Sequence, residues 1–155
     1  MRKISFLILA LVFMLSMACQ QKVNIESEKA AIKNVLDNYV ASVENEDMEL
    51  YAKNMAHDSD MVNFGTSEDP IIGWDALKKI MEDQNAALSQ TKINVTNMAI
   101  HVSETGKFAW ATCLWDFKSM MGENPIELPV RCTWILEKRG NDWVIVHFHK
   151  SIQAK

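Results

Sequence analysis

Between residues 93 and 151 the chain alternates apolar and polar side chains almost continuously, and this feature constrains the fold more than any other. A period of two residues is typical of β-strands with one buried face. Turn-forming residues interrupt the alternation at 104–106, 122–125 and 139–142. Because connections this short join antiparallel neighbours, the pattern predicts four consecutive antiparallel strands, at 93–102, 108–118, 128–137 and 143–151.

The chain before residue 90 carries helical patterns instead. Ser27 is a plausible N-cap for a first helix, and apolar residues then recur three and four positions apart, at Ile32, Val35, Leu36, Tyr39, Val40 and Val43. A second short helix is expected at 48–55, a strand at 60–64 and a third helix at about 74–88. Helices followed by a meander are typical of an α+β domain, with a helical layer on one face of an antiparallel sheet.

Size and charge exclude several classes of function. A chain of 155 residues forms one ordinary domain, and 48% hydrophobic with 23% charged residues is typical of a folded globular protein. Sixteen basic residues stand against twenty acidic ones, and no basic run could follow a phosphate backbone. We therefore expect no nucleic-acid partner. No set of His, Cys, Asp and Glu has a recognisable ligand spacing, so no metal or other cofactor is predicted.

The first residues have the pattern of a secretory signal peptide. Arg2 and Lys3 precede an apolar run at 4–17, which is shorter than the roughly 18 apolar residues that span a bilayer. The following Ala18 and Cys19 resemble the end of a bacterial lipobox, although Ser16 departs from the usual Leu. This predicts a signal peptide at 1–18, lipidation of Cys19, a tether at 19–25 and a domain at 26–155. The expected location is the bacterial cell envelope, through a membrane anchor, with simple secretion as the alternative.

Parity along the last two strands assigns residues to two faces. The even positions are mostly apolar and are expected to lie under the helices; they include Val130, Cys132, Trp134, Val146 and Phe148. The odd positions are more polar and are expected on the opposite face; they include Arg131, Thr133, Trp143, His147 and His149. We expect Cys113 and Cys132 to be buried free thiols, although export would permit a disulfide.

Four residues are candidates for contacting a ligand between sheet and helices. Trp134 occupies an even-numbered position on the face that is expected to lie in the core. Trp110 lies on the same face if its strand keeps the same register. Asp116 lies between two aromatic residues, where burial would raise its pKa and make it a base. Lys150 ends the core-facing row and could reach the mouth of a pocket. Each also has a simpler interpretation, as core filling for the tryptophans and as exposed charge for Asp116 and Lys150.

Four residues of the opposite face are candidates for a dimer contact. Trp and Arg are enriched at the centres of protein interfaces, and Arg131, Trp143, His147 and His149 share one parity on adjacent strands. The two histidines are alternatively a proton-transfer pair or metal ligands. A sheet-to-sheet homodimer would weaken below about pH 6, because protonation would place like charges at the contact.

The C-terminal third of the chain resembles a known family. The resemblance lies in Leu-Pro-Val-Arg-Cys-Thr at 128–133, Glu-Lys-Arg-Gly at 137–140 and Trp-Val-Ile-Val-His-Phe-His-Lys-Ser at 143–151. Together they are similar to the signature of SnoaL-like proteins of the nuclear transport factor 2-like superfamily. The last segment also resembles the association domain of calcium/calmodulin-dependent kinase. Upstream, Phe-Gly-Thr at 64–66 and Gly-Trp-Asp-Ala-Leu at 73–77 are similar to the family's first strand and third helix.

This resemblance implies a curved sheet wrapped around helices, which forms a cone with a pocket. Relatives include ketosteroid isomerases, polyketide cyclases, dehydratases and non-catalytic oligomerisation domains, so the fold alone does not define the activity. No catalytic motif of those enzymes is matched. The leading hypothesis is an envelope protein that binds a small, partly apolar ligand in the cone. The alternatives are a homo-oligomerisation module and an isomerase-like, cyclase or dehydratase enzyme.

Overall fold

The computed structural model describes residues 23–66 and 69–153. It contains three helices, α1 (Ile25–Glu44), α2 (Met48–Asn54) and α3 (Trp74–Ala87). It contains six strands, β1 (Val62–Phe64), β2 (Pro70–Ile72), β3 (Ser89–Val102), β4 (Phe108–Met121), β5 (Asn124–Arg139) and β6 (Asp142–Ile152). The predicted elements are all present, and β2 is the one addition. The predicted signal peptide and Cys19 lie outside the described residues, and no helix within those residues is long and apolar enough to cross a membrane.

The six strands form one sheet in the order β2-β1-β6-β5-β4-β3. Strands β3 to β6 make the predicted antiparallel meander, and β1 extends it by pairing in parallel with β6 at Phe64 and His149. All three helices precede β3 in the chain, and they cover one face of this curved sheet. The predicted α+β class, a curved antiparallel sheet packed against N-terminal helices, is confirmed.

Helix α1 begins earlier than its predicted cap. Asn24, not Ser27, is the N-cap residue, and its side chain accepts a hydrogen bond from the Ser27 backbone N–H at 3.2 Å. The first turn is also fastened to the sheet by Glu28. Its carboxylate accepts from Lys138 Nζ at 2.6 Å and from Trp143 Nε1 at 2.7 Å, which lowers the pKa of Glu28. The start of α1 is therefore tied to the β5–β6 hairpin.

The core face of β5 is the predicted one. Val130, Cys132, Trp134 and Leu136 are all buried, and Trp134 is 1% exposed. Cys132 lies directly opposite Cys113 of β4, and both are buried free thiols, as expected.

The core face of β6 changes along the strand because of a bulge. Ile135 pairs with His147 and the next residue, Leu136, pairs with Ile145, so Val146 has no partner of its own. Phe148, after the bulge, is buried as predicted, whereas Val146 is only partly buried. Before the bulge the odd positions face inward, and Trp143 is 4% exposed. The predictions for Val146 and for Trp143 on the outer face are therefore wrong, since strict alternation fails where one residue is inserted.

Candidate functional site

A cavity of about 330 Å³ lies between α3 and the core face of the sheet. Helix α3 supplies one wall, with Leu77, Ile80, Met81, Gln84 and Ala87 among its residues. The sheet supplies the opposite wall, with Trp115, Phe117, Ile126, Leu128, Val130, Phe148 and Lys150. Alternating strand positions point to the same face, so each strand contributes every second residue. The result is a mainly apolar chamber with few polar groups.

Lys150 is the only charged residue among the described residues that line this cavity. Its Nζ donates to the Tyr39 hydroxyl at 2.8 Å. It also lies 5.0, 4.7 and 4.8 Å from the ring centroids of Tyr39, Trp115 and Phe148. Rings at these distances attract an ammonium group through their negatively charged faces. The amine is thus held by aromatic groups rather than by a carboxylate.

Burial shifts the proton equilibria around this amine. Desolvation lowers the pKa of Lys150, because the charged form loses its water. Burial raises the pKa of both Tyr39 and Tyr51, so these hydroxyls keep their protons. The adjacent Cys113, and burial, raise the pKa of the Cys132 thiol. The contact with Cys132 lowers the pKa of the Cys113 thiol, so the groups around the Lys150 amine are two protonated hydroxyls and a pair of thiols.

Two of the four predicted ligand contacts are not in the cavity. Trp110 is 48% exposed on the outer face of the sheet, stacked on His101 at 5.1 Å. Asp116 is also exposed on the outer face and accepts a hydrogen bond from Asn94 Nδ2 at 3.1 Å. The inward positions of β4 are odd-numbered, at Ala109, Ala111, Cys113 and Trp115. The prediction that these two residues line the cavity is therefore wrong.

The other two ligand candidates face inward. Trp134 lies beneath the cavity, with its ring 5.6 Å from that of Trp115, but does not line it. Lys150 lines the cavity directly. The residues that the sequence analysis missed are Trp115 and the wall of α3. Trp115 follows a row of small apolar residues at every second position of β4, and this row was the available signal.

The outer face of the sheet holds three of the four predicted dimer residues. Arg131 and His149 are exposed there and His147 is partly exposed, whereas Trp143 is in the core. The histidines flank Phe64, at 5.9 Å for His147 and 5.6 Å for His149. Nδ1 of His147 donates to the Val62 backbone carbonyl at 2.6 Å. No cluster of three possible metal ligands occurs among residues 23–66 and 69–153.

A curved sheet closed by N-terminal helices around one apolar chamber defines a class of small α+β domains. A family model described as a SnoaL-like domain matches residues 32–155, and the chain belongs to this family. A search of curated proteins found no match.

Solved structures share the fold at low sequence identity. A nuclear transport factor 2-like superfamily protein from Salmonella enterica is 21% identical, with a TM-score of 0.75 over 84% of this chain and 94% of that one. A provisionally named dehydratase of the same family from Streptomyces avermitilis is 13% identical, with a TM-score of 0.74 over 84% and 99%. A provisionally named calcium/calmodulin-dependent protein kinase II association domain from Xanthomonas campestris is 18% identical, with a TM-score of 0.67 over 86% and 95%. These similarities show the fold.

Proposed function

We propose that this protein is a cell-envelope lipoprotein whose SnoaL-like domain binds a small, partly apolar molecule in the cavity between α3 and the sheet. The observation that carries the proposal is the cavity itself. Ligand sites are typically concave, about 300–1,000 Å³ in volume and mostly apolar, with a few polar groups that orient the ligand. A chamber of about 330 Å³ with Lys150 at its floor meets each of these criteria.

The same lining favours binding over acid–base catalysis. Proton abstraction requires a side chain within hydrogen-bond reach whose pKa suits the operating pH, most often a histidine or a carboxylate. No Asp, Glu or His is among the described residues that line the cavity, and its one amine, Lys150, is already hydrogen-bonded to the Tyr39 hydroxyl. His147, His149 and Asp116 all project from the opposite face of the sheet. The cavity lining therefore gives little support to enzymatic activities such as those in the names of some structural relatives.

Narrowing the cavity should reduce binding. Ile80 lines the cavity from α3 but is 44% exposed, so a larger side chain fits there without disrupting the core. We expect Ile80→Trp to weaken binding of the neutral apolar probe N-phenyl-1-naphthylamine by about tenfold or more, which is about 1.4 kcal/mol. Fluorescence titration measures this.

The matched control for that measurement is Lys79→Trp. Lys79 neighbours Ile80 on α3, but its side chain is 73% exposed and does not line the cavity. This variant should bind the probe as the unmodified chain does. Equal affinities for all three proteins, or no saturable binding by any of them, would contradict the proposed site.

The envelope location depends on Cys19. The basic start, the short apolar run and Ala18-Cys19 support lipidation, and two or more acyl chains anchor a protein stably where one does not. We expect Cys19→Ala to move the protein from the membrane fraction to the soluble fraction and to abolish incorporation of a labelled fatty acid. Replacing the neighbouring Gln20 with Ala should change neither. Unchanged fatty-acid labelling in the Cys19 variant would contradict the lipoprotein proposal.

An apolar stripe on the outer face favours a second candidate function, homo-oligomerisation. Trp110, Leu114 and Ile135 are 48%, 42% and 41% exposed, and Phe64 adds a fourth apolar side chain at 39%. Ile135 lies between Trp110 of β4 and His147 of β6, so these side chains form one continuous surface. Exposed apolar patches with a polar rim mark interaction sites. Binding in the cavity and dimerisation through this surface use opposite faces, so they are compatible.

A further inference from the structure

We infer that the ligand of the cavity is an apolar molecule that ends in a single carboxylate, and that this carboxylate pairs with Lys150. The inference rests on the proposed function and adds the chemical class of the ligand. Two features of the site support it, the charge balance around the Lys150 amine and the apolar walls of the cavity.

The amine of Lys150 lacks an anionic partner within the part of the chain that the structure describes. Most of the other described lysines form ion pairs, for example Lys138 with Glu28 at 2.6 Å. The groups that face Lys150 are Tyr39 from α1, Tyr51 from α2, Cys113 from β4 and Cys132 from β5. None of them is a carboxylate. An ammonium group enclosed without a counter-charge is costly, and a bound anion would remove that cost.

The apolar walls and the single positive charge select the kind of anion. Leu77 and Met81 of α3 face Ile126, Leu128 and Val130 of β5 across the chamber, so the rest of the ligand must be hydrocarbon-like. One lysine neutralises a monoanion. A phosphate monoester, with nearly two negative charges at neutral pH, would keep uncompensated charge against walls that offer no second cation. A carboxylate therefore matches the site better than a phosphate.

A pair of matched ligands tests the assignment. Decanoate and methyl decanoate have the same chain but differ in charge, and each can be measured by displacement of N-phenyl-1-naphthylamine. We expect the unmodified protein to prefer decanoate by about tenfold or more at pH 7. Lys150→Met keeps the length of the side chain without its charge and should lose the preference for decanoate, with the ester binding at least as tightly. Lys79→Met makes the same change at an exposed lysine that does not line the cavity, and it should keep the preference for decanoate.

Proton uptake gives a second, independent readout. Burial lowers the pKa of Lys150, and a carboxylate beside the amine would raise it again. The complex would then hold more protons than the free protein, so the affinity for decanoate should fall as the pH rises. Calorimetric titration above neutral pH, in two buffers with different ionisation enthalpies, should show proton uptake with decanoate and none with the ester. This test needs only the unmodified protein, so it applies even if Lys150→Met does not fold.

The outcomes separate this inference from the proposed function. If the neutral probe does not bind, the proposed function fails and the inference fails with it. If the probe binds but decanoate and its ester compete equally, the cavity remains a binding site and the carboxylate assignment is wrong. The assignment of a carboxylate paired with Lys150 would also be wrong if the preference for decanoate persisted in Lys150→Met and the unmodified protein took up no protons.

Discussion

Replacing Trp134 with alanine is expected to destabilise the domain by about 3–5 kcal/mol. Its side chain is 1% exposed, and its ring packs 6.2 Å from Tyr39 and 5.6 Å from Trp115. The indole Nε1 has no hydrogen-bond partner within the described residues, so the loss comes from packing and from the cavity left behind. Urea unfolding of a soluble form that lacks residues 1–19, followed by circular dichroism, measures this loss.

Trp110→Ala is the matched control, because it removes the same side chain from a site that is 48% exposed. Measured at low protein concentration, where an outer-face dimer would be dissociated, it should cost less than about 1 kcal/mol. Similar losses for the two variants would mean that the inward and outward faces have been assigned incorrectly.

Ile135→Glu is expected to turn a homodimer into a monomer. Ile135 lies at the centre of the apolar stripe, between Trp110 and His147, where a sheet-to-sheet contact would bury it. An unpaired buried charge costs about 3–5 kcal/mol, so the dissociation constant should rise at least about 100-fold. Sedimentation at tens of micromolar and neutral pH measures the change.

Lys53→Glu serves as the control for charge. Lys53 is exposed on α2, away from the outer face of the sheet, and its replacement alters the net charge more than Ile135→Glu does. It should leave the association state unchanged. A monomeric unmodified protein would remove the oligomerisation candidate and leave the cavity as the remaining proposed site.

Periodicity was sufficient to predict the layers of the fold but not the faces of every strand. Strand β4 carries apolar side chains on both faces, since Trp110 and Leu114 alternate with Ala111, Cys113 and Trp115. Hydrophobicity alone could not decide which row faces the helices, and the larger Trp110 was assigned inward incorrectly. The burial of Trp134 and the position of Lys150 were predictable because even-numbered residues face inward along β5 and at the end of β6.

Strand β2 was missed for a different reason. It has three residues and begins with a proline, so it offers too short a run for any periodicity to be recognised. Its pairing with β1 depends on tertiary contacts rather than on local preference. The α3 residues that line the cavity could not be predicted either, because a helix pattern shows which residues are apolar but not which of them border an open space.

The bulge at Val146 has a consequence for how relatives of this protein should be compared. If the same residues continued the strand without a bulge, the inward row that begins at Trp143 and Ile145 would run through His147 and His149, and Lys150 would face outward. The bulge thus places one amine, rather than two imidazoles, among the inward-facing groups of this strand. Homologous positions in this family therefore need to be matched by strand register, since a gap misplaced by one residue would assign the wrong chemistry to an otherwise similar chain.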